Sequence, residues 1–394
     1  VTESGEHIFS GEEIFDGQSV WQSMGGQEVG SIWGHGAYVA PDWSADWLHR
    51  EALFMLEALA WQIDSASYDD LSLEKQGYLQ LLLQKDVRRN TYDEKTQTLT
   101  ISDLRAEAIR ANMEYYQALF TDAEEMNELR AHYAMRKSSI KDEVDMHKMN
   151  AFFFWTAWAC VTERPGKSIT YTSNWPHEEL VGNKPTSPHL FWSLFSIVVL
   201  LIGIGLLGFY YAKNQDKEEI VIPTEADPLI NLKATPSMKA TLKYFWVVAG
   251  LFGLQVLLGI VTAHYGVEGD GFYGMNLDNI LPYAVSRSWH LQLSLFWIAA
   301  AWLASGLFIA PAVSGVEPKY QRLGVNVLFV ALLVVVIGSL TGIWMGVMQK
   351  LGLVENFYFG HQGYEYLDLG RFWQALLFVG LLLWMVLMIR ALAP

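Results

Sequence analysis

Five long apolar segments constrain this chain more than any other feature of its sequence. Crossing a hydrocarbon core about 30 Å thick takes about 20 residues of α-helix, and each segment is long enough to do so. The first four contain no Asp, Glu, Lys or Arg, and the fifth contains only Arg390, near its end. Helices of soluble proteins are rarely this long and this uncharged. We therefore predict five membrane spans, at Leu190–Tyr211, Tyr244–Ala263, Trp289–Ala310, Leu323–Met348 and Phe372–Leu392.

The charged residues divide the chain into two parts. Residues 1–187 hold 16 Lys and Arg against 30 Asp and Glu, whereas residues 188–394 hold 11 against 12. This predicts an acidic, water-facing domain followed by a membrane domain. An acidic surface repels a phosphate backbone, which excludes nucleic acid as a partner. The single cysteine, Cys160, excludes an intramolecular disulfide, a cysteine-rich zinc site and a covalent c-type haem.

The flanks of the spans predict the orientation in the membrane, since cytoplasmic loops are enriched in Lys and Arg. One side carries only Arg287, Lys350 and Arg371. The other side carries eight such residues: Lys213, Lys217, Lys233, Lys239, Lys243, Lys319, Arg322 and Arg390. We therefore expect a multi-pass protein of the bacterial inner membrane, with residues 1–187 in the periplasm. Such a domain needs an export signal or an earlier span, so we expect the natural chain to start before Val1.

Residues 1–187 are predicted to be mostly helical, with their Trp and Phe side chains in the core. A helix should begin at Pro41-Asp42, where proline and aspartate are typical start signals. Residues 1–40 are rich in glycine and are expected to be irregular. Alternating polar and apolar residues predict a short hairpin within Thr91–Ser102. Further helices are expected at Gln76–Arg89, Leu104–Met135 and Glu143–Val161.

His290 is the candidate ionisable residue inside a predicted span, where such residues are usually functional. It shares a helical face with Leu293 and Trp297. A neutral imidazole in this position suits the axial ligand of a b-type haem. The spacing alone leaves open an interfacial histidine that is hydrogen-bonded to a neighbouring carbonyl.

His264 and Glu268 follow the second span and are four residues apart, so they share a face if the helix continues that far. A histidine and a carboxylate at the outer membrane surface suit the oxidation of a quinol. One group would accept a hydroxyl proton and the other would pass it to water. A solvated helix end is the alternative.

Residues 17–42, GQSVWQSMGGQEVGSIWGHGAYVAPD, resemble the start of the cytochrome c subunit of bacterial nitric oxide reductases. In that subunit a CxxCH haem-attachment motif lies within a similar phrase. Its three haem-binding positions fall here on Gly26, Val29 and Gly30. A cytochrome domain without its haem, fused to the catalytic subunit, is typical of the quinol-dependent nitric oxide reductases of the haem-copper oxidase superfamily. The continuation WSADWLHREAL, residues 43–53, is also similar to that family.

The membrane half resembles the catalytic subunit of the same family. Arg287-Ser288-Trp289-His290 is similar to the Arg-x-x-His that opens its second span, which implies that His290 binds the low-spin haem b. The phrase GHQGYEYLDLGRFWQ, residues 360–374, is similar to one that contributes a glutamate to a calcium site. The resemblance therefore implies Glu365 as a calcium ligand and Arg371 as a partner of a haem propionate. An interfacial set of salt bridges is the alternative for both.

The resemblance implies a mostly α-helical fold in four parts. A degenerate, haem-free cytochrome c-like domain (1–187) precedes a connector helix (188–211), a cytoplasmic linker (212–243) and the first four helices of the catalytic domain (244–394). The family's high-spin haem b and non-haem iron take their ligands from later spans. We therefore expect this chain to be an N-terminal portion, whose activity requires the remaining half of the catalytic domain.

The implied reaction reduces nitric oxide to nitrous oxide with electrons from quinol. The partners are then quinol, nitric oxide, the lipid bilayer and the rest of the catalytic domain. A bound calcium ion and a homodimer are left open. Two alternatives are a haem-free assembly or sensor module, which haem content would distinguish, and a terminal quinol oxidase that reduces dioxygen.

Overall fold

The computed structural model describes residues 1–184, 186–214, 230, 232–269, 271–361 and 369–392. Within them the fold is mostly α-helical, as predicted, and its strands form three short antiparallel hairpins. The strands are β1 (Ser31–Ile32), β2 (His35–Gly36), β3 (Tyr92–Asp93), β4 (Thr98–Leu99), β5 (Gly271–Phe272) and β6 (Met275–Asn276). The helices are α1 (Gly11–Ser23), α2 (Gly26–Val29), α3 (Trp43–Asp64), α4 (Leu73–Arg88), α5 (Asp103–Phe120), α6 (Asn127–His132), α7 (Glu143–Val161), α8 (Ser187–Lys213), α9 (Pro236–Ala240), α10 (Leu242–Glu268), α11 (Tyr283–Ser314), α12 (Gln321–Val347), α13 (Leu353–Phe359) and α14 (Arg371–Leu392).

Helix α1 corrects the expectation that residues 1–40 are irregular. Its start carries a capping box, in which the Glu13 amide donates to the Ser10 hydroxyl at 3.2 Å and the Ser10 amide donates to the Glu13 carboxylate at 2.6 Å. This Ser-x-x-Glu spacing satisfies two amide groups that a helix start otherwise leaves without partners. Burial of Val20 and Trp21 against the rest of the domain then stabilises the helix.

The single helix predicted over Leu104–Met135 is also wrong, because α5 ends at Phe120 and α6 begins at Asn127. The buried Arg130 explains how the break is stabilised. Its guanidinium donates to the carbonyls of Ala118 and Leu119 at 3.0 and 3.2 Å, which α5 leaves open at its end. The other predictions for this region are confirmed: Asp42 caps α3, Glu143–Val161 is helical, and β3 and β4 pair within Thr91–Ser102.

Helices α1–α7 form the N-terminal domain around an aromatic core, as predicted. Trp43 stacks on Phe153 with ring centroids 5.9 Å apart, and Trp47 stacks on Tyr116 at 5.2 Å. Such pairs stabilise a core beyond the apolar area that they bury.

Five helices or helix pairs of the described residues are long and apolar enough to cross a membrane, which confirms the five predicted spans. The chain is therefore a multi-pass membrane protein. Helices α10, α11, α12 and α14 pack together as the membrane bundle, whereas every described side chain of α8 is exposed. Small residues bring the helices close: a β-carbon at Gly324 would lie 2.4 Å from Leu387 Cδ2. Indole groups also link helices, since Trp289 Nε1 donates to the Leu340 carbonyl at 2.9 Å.

The N-terminal domain and the membrane bundle share one continuous apolar core. Tyr265, Tyr283 and Val347, at the ends of α10, α11 and α12, belong to the same buried cluster as Met24 and Val29. This contact places α2 directly against the first turns of α11.

Candidate functional site

His290 lies in the third turn of α11 and is pressed against the backbone of α10. Its Nδ1 donates a hydrogen bond to the Gln255 carbonyl at 2.8 Å. Gly259 makes this approach possible, because a β-carbon there would lie 2.8 Å from His290 Cε1. The side chain of Gln255 is fixed too, since its Oε1 accepts from Trp297 Nε1 at 2.7 Å. His290 and Trp297 were predicted to share a helical face, and both form a hydrogen bond with Gln255 of α10.

This geometry fits an axial haem ligand. A histidine that coordinates a metal usually donates its other ring N–H to a carbonyl or carboxylate, which fixes the tautomer and the orientation of the ring. Within the described part of the chain, Nδ1 is the ring nitrogen of His290 that forms a hydrogen bond. Nε2 then keeps the lone pair that an iron ion requires.

In contrast, the degenerate haem-attachment motif has no space for haem-binding side chains. A β-carbon at Gly26 would lie 2.3 Å from Trp21 Nε1, and one at Gly30 would lie 2.4 Å from Trp43 Nε1. The two indoles fill the space that side chains at these positions would need, and neither indole N–H has a partner among the described residues. Cys160 is fully buried in α7, and burial raises the pKa of its thiol to about 12. The residues present therefore do not fit a covalent c-type haem.

His264 and Glu268 come together at the end of α10. The helix continues to Glu268, and His264 Nε2 lies 3.2 Å from Glu268 Oε2. The imidazole is largely covered, at 13% exposed, whereas the carboxylate is 46% exposed. The ring of Tyr273, between β5 and β6, lies 5.0 Å from the ring of His264. This pair can accept a proton on a sheltered imidazole and release it from an exposed carboxylate.

The remaining predicted site residues lie elsewhere. Arg371 is the first residue of α14, is exposed, and donates to the Gln374 side chain at 2.9 Å. Its contact with a haem propionate stays a prediction. Glu365, the predicted calcium ligand, lies outside the described residues. Among the residues that are described, no group of three or more His, Cys, Asp or Glu side chains is arranged to hold a metal ion.

Sequence reasoning missed a buried polar cluster between the N-terminal domain and α11. The Glu28 carboxylate pairs with the Arg287 guanidinium, and the two side chains are 2% and 20% exposed. The fully buried His361 donates from Nδ1 to the Gln22 carbonyl at 3.1 Å, and its Nε2 shares a hydrogen bond with the Ser288 hydroxyl at 3.2 Å. Burial raises the pKa of Glu28, and the nearby Arg287 opposes that rise. One sequence carries no signal that joins residues 259 positions apart.

Comparison with known families finds a match for each of the two parts of the chain. Residues 239–394 match the family described as cytochrome c and quinol oxidase polypeptide I. The membrane bundle therefore defines an oxidoreductase of the haem-copper oxidase class, whose members carry haem. Residues 1–177 match the family described as the NorB cytochrome c-like domain of nitric oxide reductase. The two matches, which cover different parts of the chain, together support a nitric oxide reductase B-like protein. No curated protein matches the chain significantly.

Proposed function

We propose that this chain is part of a quinol-dependent nitric oxide reductase of the bacterial inner membrane. The reaction couples two nitric oxide molecules with one quinol and yields nitrous oxide, water and quinone. The quinol supplies two electrons and two protons, which are the number that the reduction consumes. The match of residues 1–177 to a nitric oxide reductase family supports the substrate.

The observation that carries the choice of electron donor is the filled haem-attachment motif. Gly26 and Gly30 replace two haem-binding positions, and the indoles of Trp21 and Trp43 occupy the adjoining space. A soluble cytochrome would then find no haem relay in the N-terminal domain. Electrons must enter at the membrane, where quinol is dissolved.

His264 and Glu268 are the proposed quinol site. The sheltered imidazole of His264 accepts a hydroxyl proton as the quinol is oxidised, and the exposed carboxylate of Glu268 passes it to water. General-base assistance of this kind contributes about 10²–10⁴-fold to a rate. Both residues lie at the end of α10 that faces the N-terminal domain, which we assign to the periplasmic side from the distribution of Lys and Arg.

His290 is the proposed ligand of the low-spin haem b, with Gln255 and Gly259 holding its ring. When bound, this haem would carry electrons one at a time from quinol towards the site of nitric oxide reduction. The reaction also requires a high-spin haem b and a non-haem iron, and we assign no residue of this sequence to them. Calcium at Glu365 and a propionate partner at Arg371 are further elements of the same proposal.

The test measures consumption of nitric oxide by the holoenzyme, purified in detergent from its native membranes with all its chains. With a short-chain quinol as donor, we expect two nitric oxide molecules consumed and one nitrous oxide formed per quinol. His264→Gln and Glu268→Gln should each slow quinol-driven turnover by about 10²-fold. Turnover driven by an artificial one-electron donor should be unchanged. His49→Gln is the matched control, because His49 also pairs with a glutamate, Glu178 at 2.7 Å, on the surface of the N-terminal domain.

Other results would select other functions. Reduction of dioxygen without reduction of nitric oxide would identify a terminal quinol oxidase. A purified protein without haem and without turnover would identify an assembly or sensor module. Equal loss of activity with both donors in the His264 and Glu268 variants would contradict the proposed quinol site.

A further inference from the structure

Glu28 occupies one of the two spacer positions of the degenerate haem-attachment motif, between Gly26 and Val29. The short helix α2 that carries it lies against α11, and its carboxylate pairs with Arg287. Arg287 precedes His290 by three residues on the same helix, so their β-carbons are about 5–6 Å apart. A segment that has lost its haem ligands therefore contributes a charge beside the haem ligand of the membrane bundle.

The close approach of α2 to α11 depends on Gly25. This residue has φ of +78°, and a β-carbon there would lie 2.7 Å from the β-carbon of Ala284. A larger side chain at this position would both strain the backbone and separate the two helices. The contact thus delivers the Glu28 carboxylate to α11 across the interface between the N-terminal domain and the membrane bundle.

The surroundings of Glu28 leave its charge poorly screened. The carboxylate is 2% exposed, and the titratable or charged groups that face it are Arg287 on the first turns of α11, Tyr283 on the same helix, and His361 before α14. His361 is held by Ser288 and by the Gln22 carbonyl. Arg287, whose guanidinium stays protonated, is the group that pairs directly with the carboxylate, and removal of either partner leaves the other charge without its counter-ion in a largely buried site.

We propose that Glu28 is a positioning residue that the haem-free domain supplies to the haem site, where it holds and neutralises Arg287 and so sets the reduction potential of the haem bound by His290. This inference rests on the proposed ligation by His290. A nearby positive charge favours the reduced state of a haem and a nearby negative charge favours the oxidised state, and both effects are strong where water is excluded. The N-terminal domain then has a role in electron transfer without carrying electrons itself.

The experiment is a potentiometric titration of the low-spin haem b band in the holoenzyme. Glu28→Gln leaves Arg287 uncompensated and should raise the midpoint potential. Arg287→Gln leaves Glu28 uncompensated and should lower it. The double variant has no unpaired charge, so its midpoint potential should return close to the wild-type value. Glu28→Asp keeps the charge and should also have a midpoint potential close to that of the wild type.

Glu51→Gln is the matched control. Glu51 also forms a buried ion pair, with Arg105, in which the side chains are 1% and 3% exposed, but both residues lie inside the N-terminal domain. This variant should lower the thermal stability of the protein without moving the haem potential. A purely structural role for Glu28 predicts the same behaviour, so shifts of opposite sign in the two single variants distinguish the two roles.

An unchanged potential in Glu28→Gln, or shifts of the same sign in both single variants, would overturn the inference. If the single variants do not fold, the double variant and Glu28→Asp still test it, because a double variant far from the wild-type potential contradicts charge compensation. Absence of a low-spin haem b from the wild-type protein would contradict the proposed function as well. If the haem is present but its midpoint potential does not change when Glu28 is replaced, only this inference is contradicted.

Discussion

Gly30 of the N-terminal domain and Gly259 of the membrane bundle both lie against a flat ring, that of Trp43 in one case and of His290 in the other. At Gly30 the ring fills space next to a haem-binding position that no longer carries its ligand. At Gly259 the ring is the proposed haem ligand itself, and the glycine lets it approach a backbone carbonyl. A glycine against a flat ring therefore leaves no space for a haem ligand in the first case, and in the second case it would position the proposed ligand.

The two rings also differ in how far they can move. Trp43 is packed among Tyr116, Phe120 and Phe153 in the core of the N-terminal domain. His290 is partly exposed and donates a hydrogen bond to the Gln255 carbonyl. A β-carbon should therefore cost folding stability at Gly30, whereas at Gly259 it should displace the proposed haem ligand.

Removal of the ligand should have the largest effect. We expect His290→Ala to abolish the low-spin haem b signal in the optical and electron paramagnetic resonance spectra, because an axial nitrogen is lost. His49→Ala, at an exposed histidine of the N-terminal domain, should leave both spectra unchanged. A full low-spin signal in His290→Ala would show that another residue binds the haem.

Gly30→Ala should have the next largest effect, on stability. The new β-carbon would lie 2.4 Å from Trp43 Nε1 and 2.7 Å from the Pro41 carbonyl oxygen, and neither neighbour can yield easily. We expect a loss of about 2–3 kcal/mol in the free energy of unfolding, measured by thermal or denaturant unfolding. Gly77→Ala in α4, where a β-carbon would meet nothing within 4 Å, should be neutral or stabilising. Equal losses of stability in Gly30→Ala and Gly77→Ala would contradict the conclusion that Trp43 fills the space beside Gly30.

Gly259→Ala should cost less stability and should change the haem spectrum. The β-carbon would lie 2.8 Å from His290 Cε1, so the imidazole must shift and its bond to Gln255 must weaken. We expect a loss of about 1 kcal/mol in stability and a broadened or partly high-spin haem signal. The control is Gly253→Ala on the same helix, where nothing lies within 4 Å of the added carbon. An unaltered haem spectrum in Gly259→Ala would contradict the binding of the haem by His290.

Of the substitutions that should change stability alone, Trp43→Phe has the smallest expected effect. Trp43 Nε1 has no hydrogen-bond partner among the described residues, so the substitution removes only packing and should cost about 1–2 kcal/mol. In the adjacent Trp47, Nε1 donates to the buried Glu51 at 3.1 Å. Trp47→Phe should therefore cost about 1–3 kcal/mol more, because it leaves a buried carboxylate oxygen without its donor. Equal losses in the two unfolding curves would show that the Trp43 indole does more than fill space.

The sequence was sufficient for the features that depend on local pattern. Uncharged apolar length predicted the five spans, and the Pro41-Asp42 start predicted α3. The break after Phe120 was missed because it depends on Arg130 reaching back to the carbonyls of α5, which is a tertiary contact. The capping box at Ser10 was present in the sequence and could have predicted α1.

The same distinction between local pattern and tertiary contact applies to the candidate site. His264 and Glu268 could be paired from their spacing because both belong to one helix. The partner of His290 is Gln255 on another helix, and the partner of Arg287 is Glu28 in another domain. Residue types predict which groups can act, but only the packing of α2, α10 and α11 determines which of them meet.

The central claim is that electrons enter at the membrane and not through the N-terminal domain. The most direct test mixes oxidised holoenzyme anaerobically with a short-chain quinol or, separately, with a reduced soluble cytochrome c, and follows the haem b absorbance in time. We expect rapid reduction by quinol and none by the cytochrome over the same period. Rapid reduction by the cytochrome, with quinol inactive, would contradict it.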